Sequence, residues 1–142
     1  MTTPTPSLTL FMNMAIAQAI VGRRFDPQLG GLSFTEFLIL YHLSKNPTGK
    51  MRRVDLAERI GLTASGVTRL LAPMEKIGLV KREENTADAR VSFVALAPSG
   101  KRMLNESMEH ADYLATQLLT NCTKDEVRHA SEVMLKLGGT VR

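Results

Sequence analysis

The chain has a single cysteine, no tryptophan and few aromatic residues, 5% of its 142 positions. One thiol, Cys122, permits no internal disulfide, so packing must hold the chain together and a reducing cytoplasm is the expected setting. Long apolar runs are also missing. Leu8 to Val21 falls short of the ~20 residues a membrane span needs, and Asn13 and Gln18 interrupt it, so no membrane partner is expected. Met1 to Ser7 is polar and proline-rich, without the basic segment that export requires. Signatures of catalysis are absent as well: there is no glycine-rich phosphate loop, paired metal motif or nucleophile elbow. His42, His110 and His129 are scattered. His110 near Asp112, and His129 near Glu126 and Glu132, read as solvated helix surface, and His42 as a core or surface histidine. No enzyme activity, metal or cofactor is therefore expected.

Apolar residues make up 44% of the chain and charged residues 23%, which suits one soluble globular domain with a real core. The net charge of +4 is unevenly spread. Between Lys50 and Arg102 there are 11 Lys/Arg against 6 Asp/Glu; before it 3 stand against 2, and after it 4 against 6. The basicity belongs to the middle of the chain, as expected if the centre meets a polyanion and the ends meet something else.

The middle also carries the clearest pattern. Val54 to Ile60 reads as a two-turn helix with Leu56, Ala57 and Ile60 inward, stopped by Gly61. Thr63 is placed to cap a second helix whose buried stripe is Val67, Leu70, Leu71 and Met74. Ala64, Ser65, Thr68, Arg69 and Ala72 are then left outward. The small residues among them let a backbone approach bases, the hydroxyls reach phosphates or bases, and the arginine can bond guanine in bidentate fashion. Helix, short glycine-containing turn and helix make the helix-turn-helix pattern. Pro73 falls inside the second helix, where it removes a backbone hydrogen bond; a bend near Ala72 and an end at Gly78 are expected. Leu79 to Glu83 and Val91 to Leu96 read as paired strands around the polar loop Glu84 to Arg90. A hairpin there is a wing, with Arg90 placed to enter a minor groove and Asp88 close enough to hold it.

Two further regions flank this unit. Leu8 to Arg24 reads as a helix apolar on so many sides that it needs cover from more than one neighbour. Phe25 to Leu32 is a connection, and Ser33 with Glu36 fits a capping box opening a helix to about Lys45. After Pro98, Ser99 to about Asn121 reads as a long helix with Met103, Leu104, Met108, Ala111, Leu114, Ala115 and Leu118 at near-heptad spacing. Asp125 to Leu137 is a last helix, capped by Thr123 and stopped by Gly138-Gly139. A lone monomer would have to cover all three terminal stripes with the small central unit alone, so a homodimer is expected.

The run Asp55-Leu56-Ala57-Glu58-Arg59-Ile60-Gly61, then Val67-Thr68-Arg69-Leu70-Leu71, Met74 to Val80, Asp88-Ala89-Arg90 and Val94 to Gly100 closely resembles the multiple-antibiotic-resistance-regulator (MarR) family. The likeness spans about Ser33 to Gly100 in order and spacing. It implies a mainly α fold with a small β-hairpin wing: residues 1–32 as an N-terminal arm and dimerisation helix, 33–97 as the winged helix-turn-helix, and 98–142 as C-terminal dimerisation helices, one compact domain per subunit. It further implies a homodimeric transcription regulator, usually a repressor, on a pseudo-palindromic operator of double-stranded DNA. Many such regulators are released by a small aromatic or lipophilic effector bound between the two regions. By position, the resemblance assigns Ser65, Thr68 and Arg69 of the recognition helix and Asp88 and Arg90 of the wing to DNA, and Thr63, Gly66 and Thr86 beside them are expected to join that site. Ala89 stands where a second basic residue is common, and Ala97 where a capping Thr is usual, which weakens the next helix by about 1 kcal/mol. Two other readings are a winged-helix module that binds a protein and a thiol-responsive regulator acting through Cys122, which without a second cysteine requires intermolecular pairing or a mixed disulfide.

Overall fold

The computed structural model describes residues 1–142. Thr5 opens α1 (Pro6–Phe25) by accepting the Leu8 amide at 3.1 Å, and Pro6 occupies a first-turn position where its missing N–H costs nothing. The helix therefore begins two residues before the sequence pattern suggests. Phe25 is its only buried residue. A short 3-10 turn, Asp26–Gln28, follows, and Leu29 and Leu32 dive into the core. What reads in sequence as a plain connection is an anchor for α1, because two leucines within it have apolar cover.

The capping box forms as expected: Ser33 Oγ accepts the Glu36 amide at 3.2 Å and Glu36 Oε1 accepts the Ser33 amide at 2.8 Å. It opens α2 (Phe34–Lys45), which buries Phe37, Ile39, Leu40, His42 and Leu43. A strand that the sequence pattern did not reveal comes next, β1 (Lys50–Arg52). Three residues are too few for an alternation to register. Its tertiary partner defines it, since Lys50, Met51 and Arg52 pair antiparallel with Ala95, Val94 and Phe93.

Then come α3 (Arg53–Ile60) and α4 (Ala64–Lys76), joined by Gly61 at φ 71°, a conformation that side chains with a Cβ adopt reluctantly. The helix α4 runs through Pro73 as one element. Leu71 and Met74, on either side, are fully buried, and their packing holds the turn that lacks a hydrogen bond. The hairpin strands are β2 (Val80–Glu84) and β3 (Ser92–Leu96), giving a three-stranded antiparallel sheet of order β1-β3-β2.

The chain closes with α5 (Pro98–Leu118) and α6 (Lys124–Lys136). Ala97 provides no side-chain cap. Instead the root of α5 is tied to the turn ahead of β2: the Ser99 hydroxyl donates to the Gly78 carbonyl and the Ala97 amide to the Leu79 carbonyl. Thr123 caps α6 as expected, and Glu126 completes a capping box by accepting the Thr123 amide at 2.9 Å. The core gathers Leu29, Ile39, Leu40, Leu43, Leu56, Val67, Leu71, Met74 and Val94, with Leu104 and Ala111 of α5. By contrast α6 buries nothing, and Leu8, Leu10, Phe11, Met12, Ile16, Ile20 and Val21 of α1 are 37–58% exposed. No helix is long and apolar enough to cross a membrane.

Candidate nucleic-acid interface

The candidate surface is built on α4. Burying Val67, Leu71 and Met74 against α3 and the sheet rotates Ala64, Ser65, Thr68, Arg69 and Ala72 outward, and all five are exposed. The hydroxyls of Thr63, Ser65 and Thr68 are already engaged at home. Thr63 Oγ1 accepts the Gly66 amide at 3.1 Å and sits 3.2 Å from Ser65 Oγ, while Thr68 Oγ1 donates to the Ala64 carbonyl at 3.1 Å. Thr63 and Gly66 thus shape the helix start. A Cβ on residue 66 would come within 3.2 Å of Thr63 Oγ1 and press on the cap. Arg69 forms no ion pair, so its five donors remain free for a partner.

The wing loop is shaped by its own short side chains. Asn85 Oδ1 accepts the Ala87 amide at 2.9 Å, and Asp88 Oδ1 accepts the Arg90 amide at 3.0 Å. The same carboxylate takes Arg90 Nε at 3.2 Å. These bonds, the backbone one foremost, hold the Asp88 carboxyl below its usual range. Asp88 therefore stays anionic and aims an arginine whose side chain is 91% exposed. Thr86 lies exposed at the tip beside it.

Folding brings α4 and the wing together across a shallow concavity of about 270 Å³, where Ala64 and Thr68 face Arg90, Val91 and Ser92. Arg52 and Arg53 complete that wall. Sequence reading did not single out these two, because their placement depends on β1 turning directly into α3. Arg52 is held by Asp55 in a two-point bond, Nε to Oδ2 at 2.9 Å and Nη2 to Oδ1 at 3.1 Å, which also draws the Asp55 carboxyl below its usual range. Arg53 pairs with Glu75 and so ties the start of α3 to the end of α4. The doublet Arg52-Arg53 just before a helix was the available signal. The arrangement presents a protruding helix with a hydroxyl and arginine face, flanked by an arginine-tipped loop at a fixed offset. It suits a groove and the phosphates that border it.

Comparison with known proteins agrees with this geometry. Residues 30–91 match the family model described as MarR family. The HTH-type transcriptional repressor MdtR of Bacillus subtilis (strain 168) is 26% identical over 107 residues, 75% of this chain and 68% of that protein. Among solved structures, Sco3205, a MarR family transcriptional regulator from Streptomyces coelicolor crystallised with DNA, superposes with a TM-score of 0.81 at 24% identity, covering 96% of this chain and 89% of its own. The organohalide-sensing regulator RdhR-CbdbA1625, in its 2,4-dichlorophenol-bound form, superposes at 0.85 with 21% identity, covering 95% and 80%.

Proposed function

We propose that this chain, whose residues 30–91 match the MarR family model, is a DNA-binding transcription regulator of that family, acting as a homodimeric repressor on a pseudo-palindromic operator and released by a small aromatic or lipophilic effector. Residues 33–97 read the DNA. Ser65, Thr68 and Arg69 face the major groove, Thr63 and Gly66 set the start of the helix that carries them, and Thr86, Asp88 and Arg90 run along the minor groove. Residues 1–32 and 98–142 supply the dimer, and the uncovered apolar faces of α1 and α6 support that division. The observation that carries the reading is the meeting of Thr68 with Arg90 across one concavity, beside an unpaired Arg69.

The effector reading has its own support. A cavity of about 650 Å³ lies where α1, α6 and the ends of α2 and α3 meet, walled mainly by Met14, Leu38, Ile60, Met134 and Leu137, with Gln18, His42, Arg59 and Thr140 at its polar side. Its size and mainly apolar walls with a few polar groups suit an aromatic molecule, and methionines adapt to irregular ligands. It lies between the region assigned to the dimer and the region assigned to DNA, where an occupant changes the angle between them.

Selection from a randomised DNA pool tests the reading. The purified protein should enrich an inverted repeat whose half-sites lie one helical turn, or a multiple, apart. Arg69→Ala should lose about 1–3 kcal/mol on the selected site and tolerate changes at one base pair. Failure to enrich any sequence would reject the proposal and favour a protein-binding winged helix.

A further inference from the structure

A second cavity, of about 540 Å³, opens where the end of α2, the end of α3 and the segment after α6 converge. Lys45, Arg59 and Arg142 line it together with Tyr41, His42 and Thr140, and no Asp or Glu side chain does. None of the three cations has a salt-bridge partner elsewhere; the Lys45 ammonium lies only over the Tyr41 ring, 5.5 Å from its centroid. Three like charges around one concavity repel one another, and an anion among them relieves that repulsion and meets charge-assisted hydrogen bonds. It shares His42, Arg59 and Thr140 with the larger cavity beside it, whose other walls are mostly apolar, whereas here only Tyr41 and Pro47 offer apolar faces.

Its floor is fixed. Thr140 Oγ1 donates to the Arg59 carbonyl at 2.8 Å and lies 3.4 Å from His42 Nε2. The hydroxyl has one proton and gives it to Arg59, so the contact with His42 requires Nε2–H as donor. His42 is itself buried, 8% exposed, and this contact is what satisfies it. The segment after α6 is thereby pinned to the last turn of α3, immediately before Gly61 and the Thr63 cap of α4.

We propose that this cavity is a second ligand site, which takes a compact, polar anion carrying two negative charges, a dicarboxylate or a phosphate, bridging Arg142 to Arg59 and Lys45. This rests on the ligand-responsive reading above and adds to it a ligand class different from the lipophilic one. The anion acts by tightening the link between the segment after α6 and α3, and so the seat of the recognition helix.

Calorimetric titration of the full chain in phosphate-free buffer tests the site, with inorganic phosphate, malonate and uncharged malonamide as separate probes. Phosphate or malonate should bind and malonamide should not, and whichever of the two anions binds names the class. The exposed double change Arg59→Gln with Arg142→Gln should weaken binding by about tenfold or more, as expected for lost charge-assisted bonds, while the melting temperature does not fall and operator selection stays at the parental sequence. No heat with either anion at millimolar concentration, equal binding of malonamide, or an undiminished response in the double variant would overturn the proposal. Should the double variant unfold, Lys45→Gln replaces it, with the same loss expected. Operator affinity is read separately: anion binding that leaves DNA affinity unchanged confirms the site and rejects only its regulatory use.

Discussion

At the scale of single residues, His42 shows how a neutral polar group is kept inside. Burial, and then the nearby positive charge of Arg59, hold its pKa below the usual histidine value near 6.5. The sign follows from proton linkage. Above pH 6.5 the ring is neutral in folded and unfolded chains alike, and its contribution to stability is complete. As pH falls below that value the unfolded chain takes up a proton that folded His42 resists, so stability declines through the window down to the lowered pKa. Thermal melts from pH 7.5 to 5.0 should show this decline, and His42→Gln, though less stable at pH 7.5, should show a shallower one. Equal slopes would mean that other groups set the acid sensitivity. Sequence reading left His42 between core and surface, because Thr140, the residue that covers it, is 98 positions away.

At the scale of elements, the joint between α5 and the hairpin matters most. The run ending in Pro98-Ser99-Gly100 was legible as the start of a helix, but the need for glycine was not. A Cβ at position 100 would lie 2.1 Å from the Leu79 carbonyl oxygen, a backbone atom that cannot swing aside. Gly100→Ala should therefore cost about 1–3 kcal/mol, as overpacking commonly does, and lower the melting temperature by several degrees. An unchanged melt would show that α5 can lift from the hairpin freely. The same joint explains how the uncapped Ala97 is tolerated: the Ser99 hydroxyl and the Ala97 amide donate to the Gly78 and Leu79 carbonyls and fix the helix start by tertiary bonds, while its first amides keep no side-chain acceptor. Helix starts at Ser33, Thr63 and Thr123 could be read directly, because each cap and its target amide lie three residues apart.

For the whole molecule, the distribution of burial is the informative quantity. One continuous core unites α2 to α5 and the sheet, whereas α1 and α6 hold their apolar stripes in the open. Such faces call for a partner, and in the proposed function that partner is a second copy. Ile16, 58% exposed on α1 and outside the continuous core, is a suitable probe. Ile16→Glu should convert the dimer to a monomer by light scattering at micromolar concentration and abolish binding to the inverted repeat, with helix content retained. A dimer that survives this change would place the interface elsewhere.

What the sequence by itself determined is whatever rests on short-range rules. Helical periodicity, caps three residues from their targets, the glycine turn at Gly61 and the hairpin around Asp88 and Arg90 all act within a few residues. Tertiary structure alone decided the rest. β1 exists because β3 offers it hydrogen bonds, Arg52 and Arg53 reach the candidate interface because β1 leads straight into α3, and Gly100 matters because Leu79 lies against it. The cationic cavity likewise draws Lys45, Arg59 and Arg142 from three distant stretches. A charge or a turn is written in the chain, but which charges share a cavity depends on how far-separated segments pack.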